Sequence, residues 1–150
     1  SGRFSFLERK RSKLAKKRTS VPWMAAPKYG ASLTGLDNNL LVADASVAAS
    51  FATDVFGAET VYADRDFAVL KLREMEWMVH ADHTFYKHPL VGFAANVEGR
   101  GAGAEFCLHG IDPDKTEANA RTQGYTVLAS ALDKPHGLRE AYILDPDGYC

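Results

Sequence analysis

Only two cysteines stand among the 150 residues, Cys107 and Cys150. One pair cannot make a disulfide scaffold, so a reducing, cytoplasmic setting is expected. Long apolar runs are also missing. Nothing approaches the roughly 18–20 consecutive apolar residues that a membrane-spanning helix needs, and no membrane partner is expected. No secretory signal pattern is visible, and the chain opens on Ser1 rather than Met, as a processed or added start would. Acids are nearly absent from the first 35 residues. There Glu8 stands alone against nine Lys and Arg, a balance of +8. Residues 36–150 carry nine bases against eighteen acids, a balance of −9, so the overall charge of −1 conceals two unlike parts. We read a basic tail and linker over 1–35 and an acidic folded domain over 36–150. A hydrophobic content of 46% with 11% aromatics excludes a disordered or fibrous chain.

The tail is dominated by the run Glu8 to Arg18, with Phe4, Leu7 and Leu14 as a thin apolar stripe. Clustered bases attract phosphate, which makes a nucleic-acid or anionic-membrane arm one reading. A solvated extension without specific contacts is the other, and the one favoured, because charge runs usually stay solvated. No nucleic-acid partner is expected except through this tail. Met24, just ahead of the change in composition, marks a candidate natural start. Val21 to Gly30 holds two prolines and a glycine and reads as an irregular linker.

The domain reads as one pattern written twice. Leu40 to Asp44 is a short apolar run that reads as a buried strand. A helix follows to Gly57, with Asp44 or Ser46 as its cap, Val47, Phe51, Val55 and Phe56 along one face, and Gly57 as its left-handed stop. Strands are expected at 59–63, 67–72 and 76–81, with tight turns at Asp64 to Asp66 and Arg73 to Met75. The grammar returns after Gly103: a strand over 105–110, then a helix from Asp112 to Gly124 with Pro113 in its first turn. Strands at 126–130 and 139–144 follow, and another opens at Tyr149. Gly57 and Gly124 lie 67 residues apart, and the two units align at that offset. The fold class is therefore α+β: two βαβββ modules, about 36–82 and 104–150, forming a curved mixed sheet around a cavity. The last strand is cut short. A glycine-rich loop, His83 to Gly103, joins the modules.

Three stretches carry a family resemblance. They are Leu41-Val-Ala-Asp44 with the alanine-rich helix ending Asp54-Val-Phe-Gly57, then Asp66-Phe-Ala-Val-Leu-Lys-Leu72, then Asp133 through the turn Asp145-Pro-Asp-Gly148. In this order and in duplicate they resemble the vicinal oxygen chelate superfamily, which includes glyoxalase I, bleomycin-resistance proteins and extradiol dioxygenases. The resemblance covers about 33–150. It implies metal ligands on the first and fourth strands of each module. Carried over, these positions fall near Asp37 and His80 and at or near Glu105. The fourth would lie beyond Cys150. A site of three protein ligands leaves a position open for substrate. The resemblance also implies a homodimer with one cavity per subunit.

His80, His83 and His88 form a His-x2-His-x4-His run, and imidazoles suit zinc, nickel or iron. Residues three apart on a strand point to opposite faces, so the bland reading puts His80 on the cavity wall and the other two in a loop. If His80 faces the cavity, Met78 and Glu76 do too, and Trp77 faces the helix or a partner. Phe85, Tyr86 and Phe93 are either a lid over a ligand or plain loop packing. Glu105 and Cys107 share parity and are expected inward, with Cys107 a small buried hydrophobe rather than a nucleophile. Tyr142 and Glu140 share a face, and Arg139 is expected in a salt bridge. The expected ligand-binding set is His80, Met78, Phe85, Tyr86, Glu105, Cys107 and Tyr142.

Two functions follow. The first is a small-molecule-binding protein of the bleomycin-resistance type, taking an apolar or cationic ligand and needing no cofactor; the −9 charge of the domain suits a cation. The alternative is a lyase, isomerase or dioxygenase that uses nickel, zinc, manganese or iron held by Asp37, His80 and Glu105.

Overall fold

In a computed structural model of the chain, the described residues are 21, 23–85, 88–94 and 97–150. The tail through Ser20, together with Tyr86, falls outside them. A first helix, α1 (Ala26–Ser32), occupies part of the expected irregular linker. Pro27 lies in its first turn, where proline's missing N–H costs no hydrogen bond. Aromatic contacts hold the segment down: Trp23 stacks on Tyr62 at 5.6 Å, and Tyr29 meets the Phe67 ring edge-on at 5.7 Å.

The first module is a mixed sheet with one helix on its back. Its strands are β1 (Asn39–Val42), β2 (Glu59–Ala63), β3 (Phe67–Leu72) and β4 (Met75–Ala81), in the order β1-β4-β3-β2. β1 runs parallel to β4, with Leu41 opposite His80, and the other neighbours are antiparallel. Helix α2 (Ala45–Phe51) runs on into one π-helical turn, Ala52–Phe56. The Asp44 carboxylate caps it, accepting from the amides of Ser46 and Val47, and Gly57 ends it at φ +71°. The packed face differs from the expected one. Ala45, Ala48, Ala49 and Ala52 lie flat on Val42, Ala68, Leu70 and Val79, while Val47 is exposed. Alanines let the helix approach closely, and Phe51 and Val55 turn toward the second module.

The second module shows one pair of strands among the described residues. Helix α4 (Pro113–Thr122) is capped by Asp112 and packs on the antiparallel pair β5 (Val127–Asp133) and β6 (Arg139–Ile143). A short helix, α3 (Val91–Ala94), and a 3-10 turn (Asp82–Thr84) lie in the joining loop. Residues 105–110 run without strand pairing, and no strand opens at Tyr149. A strand needs partners on its edges, and the position between 105–110 and β6 holds none among the described residues. The α+β class stands, as a four-stranded mixed sheet and a two-stranded one.

The modules meet helix to helix. Phe51, Val55, Ala120 and Ile143 form a second core cluster, with the Tyr125 ring against Phe51 at 4.7 Å. The Asn119 amide donates to the Val55 carbonyl at 3.2 Å.

Candidate functional site

A clasp closes the joint between the modules. Arg100 donates to both carboxylate oxygens of Asp82, at 2.7 and 2.9 Å, and to the Leu41 carbonyl at 3.0 Å. Asp147 lies 3.4 Å from the same guanidinium and accepts from the Ala43 amide at 2.7 Å. Burial works against the charge of Arg100, but Asp82 and Asp147 outweigh it and hold the guanidinium protonated. In the turn Asp145 to Gly148, the Asp145 carboxylate accepts the amides of Asp147 and Tyr149. Burial nevertheless pushes its pKa up to about 6, past the opposing pull of those amides. Gly148, at φ +87°, fits because a Cβ there would sit 2.5 Å from Gly99 Cα. The motif was visible in the sequence; its partners Arg100 and Gly99 were not singled out.

Behind this clasp lies a cavity of about 370 Å3. Leu40, Leu70, Trp77 and Val79 line it from the helix-covered face of the first sheet, and Ala48, Phe51, Ala52 and Phe56 from α2 and its π turn. Phe106, Leu108, Ile143 and Tyr149 line it from the second module. Its acids are Glu105, Asp145 and Glu76. The alternation on β4 accounts for Trp77: odd positions of this strand face the helix, and Val79 is fully buried there.

His80 and Met78 share the opposite face and line neither this cavity nor a smaller one beside β6. His80 Nδ1 is 2.7 Å from Asn39 Oδ1, and its ring lies between Phe67 and Phe85, at 4.5 and 4.7 Å. The His88 ring meets Phe85 edge-on at 4.7 Å, and Phe93 is exposed. His83 turns away to the fully buried Asp66, at 2.7 Å. Asp37 lies near Tyr29 with Oδ2 buried and unpartnered. Burial, Glu76 and Asp37 together push the Tyr29 pKa up to about 12.

Glu105, Cys107 and Tyr142 come together in the second module. Parity on 105–108 is the reverse of what was expected: Phe106 and Leu108 are half-buried, while Glu105 and Cys107 are exposed. An unpaired segment lays its larger apolar side chains inward, and Cys107 is not the buried hydrophobe anticipated. Desolvation and then Glu105 push its thiol pKa up, so it is a poor nucleophile. The Tyr142 hydroxyl donates to Glu140 at 2.9 Å, and Glu140 in turn pairs with His136. Arg139 bridges Asp114 and Asp133.

The resemblance would place a metal at Asp37, His80 and Glu105, and these residues as they stand do not fit one. His80 is held by Asn39 between two rings, Glu105 lies with Cys107 and Tyr142, and among the described residues no three His, Cys, Asp or Glu side chains converge. No helix among the described residues is long and apolar enough to cross a membrane.

This architecture is that of the glyoxalase/bleomycin-resistance/dioxygenase structures, the fold of the vicinal oxygen chelate superfamily. A structure of that description from Burkholderia phytofirmans PsJN superposes with a TM-score of 0.59 at 20% identity, over 74% of this chain and 89% of its own. Lactoylglutathione lyase from Agrobacterium tumefaciens gives 0.55 at 21% identity, over 77% and 88%. The bleomycin resistance determinant encoded on transposon Tn5 gives 0.52 at 18% identity, over 78% and 92%. No family model matches the chain, and no curated protein matches it in sequence.

Proposed function

We propose that this protein binds a small apolar cation in the cavity between its modules. The carrying observation is the lining: five aromatic side chains, Phe51, Phe56, Trp77, Phe106 and Tyr149, with carboxylates as the charged groups among them. Aromatic faces attract cations through the ring quadrupole, best of all a Trp face. Its volume of about 370 Å3 falls within the range of small-molecule sites. The −9 balance of residues 36–150 raises the local concentration of cations and speeds their capture.

Glu105 supplies the counter-charge and Trp77 the face; neither transfers a proton or a bond in this reading. Calorimetric titration with a small cationic aromatic dye tests it. Saturable binding that weakens about fivefold or more in Glu105→Gln, and with added salt, is the expected result. Equal affinity for a neutral isostere of the dye would remove the electrostatic part. No binding of any cationic aromatic would end the proposal.

A further inference from the structure

The acids around the clasp are unequally matched with cations. Asp82 and Asp147 share the Arg100 guanidinium, at 2.7 and 3.4 Å. Asp145 belongs to the same turn as Asp147, yet among the described residues no Lys, Arg or His forms an ion pair with it. Backbone holds it instead. Its Oδ1 accepts the amides of Asp147 and Tyr149, both at 2.8 Å, and its own amide donates to the Tyr149 carbonyl at 2.9 Å. Those bonds fix the carboxyl group in place without neutralising its charge. Burial disfavours the charged form, which is why the pKa stands at about 6.

Asp145 also faces the cavity between the modules. The two other acids of the lining are differently placed. Glu76, at the start of β4, accepts from the Tyr29 hydroxyl at 3.5 Å, and Glu105 is exposed to water. Arg100 is the nearby cation, and Asp82 and Asp147 already take it. Tyr149 stands beside Asp145 with its hydroxyl donated to the Leu41 carbonyl, at 3.0 Å. From the second module the thiols of Cys107 and Cys150 face the cavity, and burial pushes both upward, so they stay neutral. A carboxyl group without a counter-cation, on a wall of aromatic rings, is matched by a ligand that brings the cation itself.

We propose that Asp145 is the cation-binding carboxylate of this cavity, and that a ligand cation takes the place of the proton it holds. On binding, the O–H bond of the carboxylic acid breaks, the proton passes to solvent, and the carboxylate pairs with the cation. Glu105 adds attraction from the wet edge, and Asp145 couples binding to a proton. This rests on the cation-binding reading of the cavity and extends it to a binding group and a pH dependence. The sign follows from the proton: affinity is low at pH 5, rises through pH 6 and levels off above it.

The probe is N-methylquinolinium, whose charge does not vary with pH, titrated calorimetrically into the full chain between pH 5 and pH 7.5. The expected result is about tenfold tighter binding at pH 7.5 than at pH 5, with about half a proton released per cation at pH 6. Two buffers of unlike ionisation enthalpy read the proton. Asp145→Asn keeps an oxygen for the two amides. It is expected to bind with one affinity across the range, no tighter than the native protein at pH 5. Glu105→Gln is expected to bind more weakly throughout and to keep the tenfold dependence. Three results overturn the proposal and leave the cavity reading standing: binding that is unchanged between pH 5 and pH 7.5, a dependence that survives in Asp145→Asn, or one that disappears in Glu105→Gln. No binding of the cation at any pH overturns both.

Discussion

Gly148 and Asp145 share one turn but carry different demands. At Gly148 a side chain has neither the backbone angle nor the space. Gly148→Ala is expected to cost about 3 kcal/mol, since a left-handed angle for a non-glycine residue and a backbone clash act together. Urea unfolding measures it, and a loss under about 1 kcal/mol contradicts the contact with Gly99. Asp145 sets a pH dependence. Its pKa is raised from 3.8 to about 6, so the folded state holds the proton more tightly than the unfolded one. Its contribution is fully present below about pH 4 and is lost as pH rises through 6. Relative to Asp145→Asn, the native protein is therefore expected to lose on the order of 2 kcal/mol between pH 4 and pH 7. Parallel unfolding curves across that range would contradict the burial of this carboxylate.

Among the elements, α2 shows how a helix is specified at its ends and placed by its middle. Asp44 satisfies two of the orphan amides of the first turn, and Asp44→Ala is expected to cost about 1 kcal/mol, read as a lower thermal midpoint. Both ends of this helix were legible in the sequence, because caps are local chemistry. Its packed face was less legible. Periodicity weights Val47 and overlooks the alanines, yet close approach to the sheet selects the small residues. On β4 the alternation set Trp77 on the face opposite His80 and Met78, but the expected cavity side was that of His80, whereas the cavity lies on the Trp77 side. On 105–108 the same alternation failed, because parity has no such anchor where a segment lacks a partner on its edge. Helix α1 was missed for a related reason. Trp23, Tyr29, Tyr62 and Phe67 meet only across distant parts of the chain.

Across the whole molecule, the duplicated pattern made the fold legible, and the solved structures that superpose on it have that fold. The site was less legible. The resemblance drew attention to Asp37, which precedes β1 near Tyr29, and to His80, which stands on the face of the first sheet away from α2. The aromatic cavity is assembled from both modules, around residues such as Phe106 and Tyr149 that carry no motif. Trp77 and Trp23 are the only tryptophans, so Trp23→Phe leaves one indole as a reporter on that cavity. The most direct measurement is the fluorescence of this single-tryptophan protein titrated with a small cationic aromatic dye at low and moderate salt. Binding between the modules predicts saturable quenching with a Kd that rises with ionic strength, and a loss of about fivefold or more in affinity in Glu105→Gln. Unchanged Trp77 emission while calorimetry registers binding would place the ligand elsewhere and contradict the account.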